Sequence, residues 1–376
     1  MSTPDKALAL APQPSRPRRS RGRLAMLLVL FLLLLLLAGE LVVRALGLVN
    51  VSIGARTPQQ AAFNAANVFV AVDDAAVSFR NRPDVHVTIA GVEYQHDARG
   101  ARVLPAPPNP PPGAQPAGVV FLGDSTCYGL GLPVADSLPA LVQSALGGLV
   151  RARNLGVCGY ATSQEVALYE TERKELGDTR LVVLLVFPND FAPGAFLWDE
   201  RLCVMYQDAL PLPRAWKPWL WRSALYRALV SWRGNAARVA GEFDPLLPQN
   251  WGPTLAAVER LAADVRADGR TLLVAHLPAM EGLDPYTFAA PVEQLRATCE
   301  RLGVAYVDLL EPFLAAREKQ VTAYEAKSGQ KVTAEQRAGF LAQYWIVDPA
   351  DHHLNAAANR IAAGALSAAV RQALGP

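Results

Sequence analysis

Hydrophobic positions along the chain follow three successive patterns. From residue 24 to 39 every position is uncharged and most are Leu, and after Glu40 a second apolar patch covers 41–43. A helix that crosses hydrocarbon needs about 20 apolar residues, so the block is borderline between a signal sequence and an anchor. Its Leu-rich part is long for a signal sequence, no Ala-x-Ala site closes it, and Glu40 stands where a lipoprotein would need Cys. These features favour an uncleaved anchor over 24–45; a buried core helix would normally be broken by polar positions. Across 46–104 the pattern changes to short alternating runs such as 68–72 and 85–89, punctuated by Gly91 and Gly100, which predict a small β-rich extension. Residues 105–116, PAPPNPPPGAQP, cannot continue a helix or sheet and predict a stiff connector with a domain boundary.

Beyond residue 117 strongly apolar runs alternate with amphipathic ones. Strands are expected at 119–122, 151–157, 181–187, 271–276 and 304–309, with helices at 137–146, 162–176, 255–268 and 292–302 and an Ala-rich helix reaching about 374. Strands apolar on both faces and separated by helices imply a parallel sheet in a three-layer α/β/α sandwich. Two insertions interrupt the alternation, a Trp- and Pro-rich one at 192–250 and a charged, helix-favouring one at 312–343.

Charge and composition narrow the function classes. The chain has 376 residues, 51% hydrophobic and 19% charged, which excludes a mostly disordered polyampholyte. Its 36 basic and 34 acidic residues give a net charge of only +2, so nucleic acid is not an expected partner. Basicity is concentrated in 1–23, where Lys6, Arg16, Arg18, Arg19, Arg21 and Arg23 precede the apolar block and only Arg44 and Arg56 follow closely. The tail 1–23 should therefore stay cytoplasmic and the rest of the chain should lie outside, in the periplasm or beyond. Cys127, Cys158, Cys203 and Cys299 are too few for a disulfide scaffold and have no metal-ligand spacing, so no metal or other cofactor is expected.

In open α/β sheets the reactive groups gather at the carboxyl ends of the strands. The first such end reads GDSTCYG and places Ser125 at the sheet edge, where a nucleophile must sit, although Gly-Asp-Ser is also ordinary turn chemistry. The second reads NLGVCGY, in which the Gly159 N–H can approach an oxyanion or merely serve a turn. The third reads FPND and offers the Asn189 carboxamide or, equally, a capping turn. Near the C-terminus DPADHHLN opens the last helix and brings a histidine base together with carboxylates.

Taken in order, GDSTCYG, NLGVCGY, FPND and DHHLNAAANRIA make the sequence from residue 118 onward resemble the SGNH/GDSL hydrolase superfamily, and its exported, membrane-anchored branch in particular, through the Leu-rich segment ending in Glu40 and Arg44. The resemblance implies a flavodoxin-like five-stranded sheet and no cofactor. It implies Ser125 as nucleophile, the Ser125 and Gly159 N–H groups with Asn189 as oxyanion donors, and His353 as base, since His353-Leu354-Asn355 and not His352 matches the family pattern. Two positions depart from the family. Phe187 stands where Gly is usual, and Ala350 occupies the usual acid position, three residues before the histidine, leaving Asp351 as the expected acid and Asp348 as the alternative.

These residues suit hydrolysis of acyl or acetyl esters, with a small ester or an acylated glycan or lipid as substrate. The rivals are O-acyl transfer to a cell-envelope glycan, or a binding or scaffold protein that has kept the fold and lost competence, motivated by Phe187 and Ala350. No obligate protein partner is expected, and the membrane is met through the N-terminal helix. Cys127 and Cys158 sit on adjacent strand ends where a disulfide would stiffen the site, although two small buried thiols would read the same. Trp198, Trp216, Trp219, Trp221 and Trp232 form an apolar lid, a sugar platform or, more simply, a local core. His276 reads as a structural histidine, and His86 and His96 carry no specific signal.

Overall fold

Five strands pair in parallel in the order β11-β10-β7-β5-β6, where β5 is Ala117–Leu122, β6 Val150–Asn154, β7 Thr179–Val186, β10 Thr271–His276 and β11 Ala305–Asp308; the three central ones are buried along nearly their whole length. In sequence order this is 2-1-3-4-5, the flavodoxin-like arrangement, with the order reversing between β5 and its neighbours β6 and β7. The structure, a computed structural model, describes residues 21–47, 57–72, 74, 76–113, 115–192, 194, 196–198, 201–203, 212–213, 216–220, 222–242, 244–280, 282–283, 285–347 and 351–375.

Side-chain alternation along each strand divides the core in two. Val120 and Leu122 of β5 face one apolar cluster with α5 (Thr162–Glu172) and α8 (Gly252–Ala267), while Val119 and Phe121 face the other with α4 (Leu138–Ala145), α10 (Leu310–Ser328) and α12 (Ala356–Leu374). Helix α9 (Ala289–Leu302) flanks the β10–β11 edge, with Leu295 and Cys299 in the first cluster and Val292 in the second. The short helix α3 (Ser125–Tyr128) follows β5 directly. The C-terminal insertion forms α10 and α11 (Ala334–Ala342), then a hairpin of β12 (Trp345–Val347) and β13 (Asp351–Leu354) that leads into α12. Phe313, Arg317 and Val321 of α10 are buried.

The region before the Pro-rich connector contains α2 (Pro58–Ala65) and the hairpins β1 (Phe69–Ala71) with β2 (Phe79–Asn81) and β3 (His86–Ile89) with β4 (Val92–Gln95). The sequence suggests a boundary at this connector; the packing runs straight across it. Phe63, Phe69, Phe79 and Tyr94 join Tyr128 and Tyr160 in the first cluster through a chain of edge-to-face and stacked rings. Arg102 seals the junction: its guanidinium lies 5.0 Å from the Tyr94 ring centre and 4.8 Å from that of Tyr128. It donates to the carbonyls of Tyr128 and Gly129 at 2.6 Å and of Leu132 at 2.8 Å. A three-methylene stem with a planar cation can fill this slot, and a pentapeptide loop bound through three carbonyls is held in one place.

Helix α1 (Arg21–Ala45) is long and apolar enough to cross a membrane and exposes nearly all of its residues. Its last turns pack against α7. There Glu40 accepts hydrogen bonds from the backbone N–H groups of Ala224 and Leu225 and from the Ser223 hydroxyl, so it caps α7 (Ala224–Val239) from another element. Arg44 bonds both Glu40 and the Arg222 carbonyl. Helix α7 belongs to the first insertion, with the hairpin β8 (Phe196–Trp198) and β9 (Arg201–Cys203) and the single turn α6 (Lys217–Leu220).

Candidate active site

Ser125 is the first residue of α3, immediately past the carboxyl end of β5. Asp124 caps this turn, its Oδ1 accepting from the Thr126 N–H at 2.8 Å and the Thr126 hydroxyl at 2.7 Å. Turning a buried strand into a helix within two residues needs such a cap, because the first N–H groups of the helix have no internal partner. The loop after β6 approaches closely: a Cβ at Gly156 would lie 2.5 Å from the Tyr128 nitrogen, so only glycine fits. Gly159 adopts a φ of 84°, a left-handed conformation that glycine takes without strain.

His353 arrives from the opposite end of the chain. Asn355 caps α12 by accepting from the Ala357 and Ala358 N–H groups, which fixes the register at which β13 meets the helix. His353 Nε2 then stands 2.8 Å from Ser125 Oγ, within the reach required between nucleophile and base, with the hydroxyl donating when that nitrogen carries no proton. On the other edge of the ring, the Gln60 carboxamide nitrogen of α2 lies 3.5 Å from Nδ1. Of the two candidate acids, Asp348 lies outside the described residues; Asp351 is the first residue of β13, paired in register with Val347, and its side chain lies outside the description too.

Asn189 sits in a 3₁₀ turn (Pro188–Phe191) after β7, the strand beside β5 at the reversal of sheet order. Its Nδ2 donates to Asp124 Oδ2 at 2.9 Å, which orients the amide and leaves its second N–H for another acceptor. That same Oδ2 is 3.5 Å from Ser125 Oγ. Among the described residues, the backbone N–H groups of Ser125 and Gly159 donate to no protein acceptor. The three oxyanion candidates thus lie on consecutive loops at one sheet edge, beside the serine–histidine contact. Phe187, at the position where glycine was expected, packs its ring against the second apolar cluster and donates its N–H to Asp190 Oδ2 at 2.8 Å.

Beneath this floor lie carboxylates that sequence reading did not single out. Asp190 and Glu165 are each 1% exposed, and neither oxygen of Glu165 has a hydrogen-bond partner. Burial and the neighbouring carboxylates Asp190 and Asp124 push Glu165 well above the usual carboxylate range; burial and then Asp124 do the same for Asp190. The Asp124–Asn189 contact had a sequence signal, the Asp of Gly-Asp-Ser, whereas Gln60 and Glu165 had none, because only tertiary folding brings them close.

The disulfide expectation is corrected: Cys127 and Cys158 are both free buried thiols. They belong to different apolar clusters, Cys127 to that of α4 and α12 and Cys158 to that of α5 and α8, and the Cys127 thiol faces the Asn154 carboxamide oxygen at 3.6 Å. Burial pushes both thiols well up, so neither is a ready thiolate. His276 is a structural histidine as expected, its Nδ1 2.8 Å from Asp308 and its Nε2 3.0 Å from the Tyr286 hydroxyl. His96, which carried no sequence signal, is buried between the Arg82 carbonyl and the Tyr128 hydroxyl. The tryptophan core is also corrected, since Trp216, Trp219 and Trp232 are 59%, 71% and 70% exposed, while Trp198 and Trp221 have no described side chain. A cavity of ≈ 620 Å³ opens at the opposite, amino end of the strands, and its Arg151, Arg153 and Arg99 are paired with Asp178, Asp97 and Glu175. It has no part in this site.

No protein-family model matches the chain, and no curated protein matches it. Among solved structures it is similar to a carbohydrate acetylesterase family member from Sinorhizobium meliloti, with 16% identity over 69% of this chain and 100% of that one and a TM-score of 0.38. It is also similar to a member of the lipolytic protein G-D-S-L family from Veillonella parvula, with 14% identity, 66% and 94% coverage and a TM-score of 0.36. An acetyl xylan esterase from Geobacillus stearothermophilus matches with 14% identity, 68% and 95% coverage and a TM-score of 0.38. At such scores these likenesses add nothing to an argument about chemistry, which rests on the residues themselves.

Proposed function

We propose that the protein is a serine hydrolase of the SGNH type that cleaves carboxylic esters outside the cytoplasm while tethered by α1. The observation that carries this reading is the 2.8 Å approach of His353 Nε2 to Ser125 Oγ across 228 positions of sequence. In the proposed reaction His353 takes the Ser125 proton as the oxygen attacks the ester carbonyl. The negative charge that develops on the carbonyl oxygen is met by the N–H groups of Ser125 and Gly159 and the free N–H of Asn189. Collapse expels the alcohol, protonated by the same imidazole, and water activated by His353 then releases the acid and restores Ser125.

Asp351, or Asp348 in its place, completes the set by accepting a hydrogen bond from Nδ1–H and holding the imidazole in the tautomer that leaves Nε2 free. Asp124 has a separate task. It binds Asn189 and the Thr126 hydroxyl, so it positions the oxyanion donor and the nucleophile turn without touching the ester. The direct test is labelling of the purified full chain with a fluorophosphonate, together with hydrolysis of a short-chain p-nitrophenyl ester. Adduct on Ser125 and hydrolysis abolished in Ser125→Ala are expected. A folded protein with neither would overturn the reading in favour of a binding role, and acyl transfer to a glycan hydroxyl outrunning hydrolysis would redirect it to a transferase.

A further inference from the structure

Between residues 209 and 241 the sequence holds six basic residues, Arg214, Lys217, Arg222, Arg227, Arg233 and Arg238, four tryptophans and no acidic residue at all. This stretch includes α6 and α7, and its described tryptophan side chains, Trp216, Trp219 and Trp232, face outward. Trp219 and Trp232 are more exposed than the leucines of the membrane-spanning helix itself, and Leu212 and Leu229 are exposed beside them. Large apolar side chains gathered in one segment of an otherwise well-buried protein mark a surface that meets something.

The geometry of α7 says where that surface leads. One stripe of the helix, Tyr226 and Val230, is buried at 9% and 4% exposure and packs inward with Ala224. A second stripe, Leu225, Leu229 and Trp232, follows the i, i+4, i+7 spacing that puts side chains on one helix face. This stripe begins on α1: a Cβ at Gly39 would lie 3.2 Å from Leu225 Cδ2, a contact allowed by the missing side chain. From there it continues to Leu229 and Trp232, which are 46% and 70% exposed among the described residues. The apolar surface of the spanning helix therefore continues without a break onto α7, and the Glu40 cap holds the two helices at that junction.

We propose that the 212–239 segment lies in the headgroup region of the bilayer that α1 crosses, with an anionic phospholipid surface as its partner. The inference rests on the reading of α1 as an uncleaved anchor. Indole rings favour this depth because one edge is apolar and the N–H is wet, and a segment whose basic side chains outnumber the one nearby carboxylate that pairs with it, Glu242 on Arg233, is drawn to anionic headgroups. A second copy of the chain would meet the same apolar stripe but would bring an identical array of positive charges against it, which disfavours that occupant.

The test uses the full chain reconstituted into vesicles of phosphatidylcholine with phosphatidylglycerol, some lipids being brominated near the top of their acyl chains to quench nearby tryptophan. The intact protein should be strongly quenched, and the variant carrying Trp216→Ser, Trp219→Ser and Trp232→Ser should lose most of that quenching while still resisting alkaline carbonate extraction. Trp232→Ser alone removes a 70% exposed ring and little packing, so it should fold normally and lose a measurable part of the signal even if the triple variant does not fold. Replacing the anionic lipid with phosphatidylcholine should reduce the quenching. Equal quenching in intact and substituted proteins, both carbonate-resistant, would overturn this inference and leave the anchor standing. Protein released by carbonate would overturn both. Crosslinking through the segment into a dimer whose tryptophans are not quenched would assign the surface to a second copy instead.

Discussion

Asn189 and Asp124 show how much a single side-chain contact asks of the site. Asn189→Ala should lower kcat by about 10² or more, the usual cost of one lost oxyanion donor, with KM for a short ester little changed. Asp124→Ala should also lower kcat, since the carboxamide loses the acceptor that orients it, and the Thr126 cap goes with it. Ser125→Ala or His353→Ala should lower kcat by about 10⁴ or more, because the two act as one unit. Ester hydrolysis by the purified variants checks all four. Ser125, Gly159, Asn189 and His353 were legible in the sequence because each follows a strand end or precedes a helix cap within a short pattern. Glu165 was not: it sits in the first turn of α5, where an acidic residue is ordinary, and only the packed structure puts Asp190 and Asp124 beside it. Its carboxyl is raised above the value of 4.5 it would have in the unfolded chain, so the folded form keeps a proton that the unfolded form releases. Stability from this group is therefore complete below that value and falls as pH rises toward the raised one. Glu165→Gln should flatten the decline of melting temperature between mildly acidic and mildly alkaline pH; an unchanged slope would show that Glu165 does not hold the proton.

At the level of elements, the alternation of apolar and amphipathic runs located every strand of the main sheet to within a few residues. Strand β6 ends at Asn154, earlier than its apolar run through 157, because the Asn154 side chain turns the chain by accepting from the Gly156 N–H and donating to the Cys127 carbonyl. Alternation could not say which sheet face each neighbouring loop would join, and so it put Cys127 and Cys158 together. It likewise treated the connector 105–116 as a divide, although Gln143 of α4 binds the Pro105 carbonyl at 2.9 Å and Arg102, just before it, is one of the largest fully buried side chains. No local pattern marks an arginine for burial; two tyrosines and three carbonyls assembled from distant segments do so. Arg102→Met should destabilise the protein by about 3 kcal/mol, because the carbonyls of Tyr128, Gly129 and Leu132 lose their donors in a site without room for compensation. Urea unfolding followed by circular dichroism measures this, and a loss under about 1 kcal/mol would mean that water replaces the guanidinium.

Across the whole molecule, the extension and the sheet meet at the site rather than standing in series along the chain. Gln60 of α2 reaches the ring of His353, and the Phe63–Tyr128 ring contact links the same helix to the turn that bears Ser125. Composition concentrates the net basicity in the N-terminal tail, yet it averages away the stretch 209–241, basic without an acidic residue, inside a mildly acidic remainder. The Glu40 cap carries a practical lesson. A version of the protein begun after residue 45 to make it easier to purify would lose the carboxylate that terminates α7, a contact of a kind usually worth about 1 kcal/mol. It would also uncover Leu225, which packs against Gly39. Shortening the gene at that point trims away a structural brace along with the apolar helix, and aggregation of such a fragment would report on the missing brace before it said anything about catalysis.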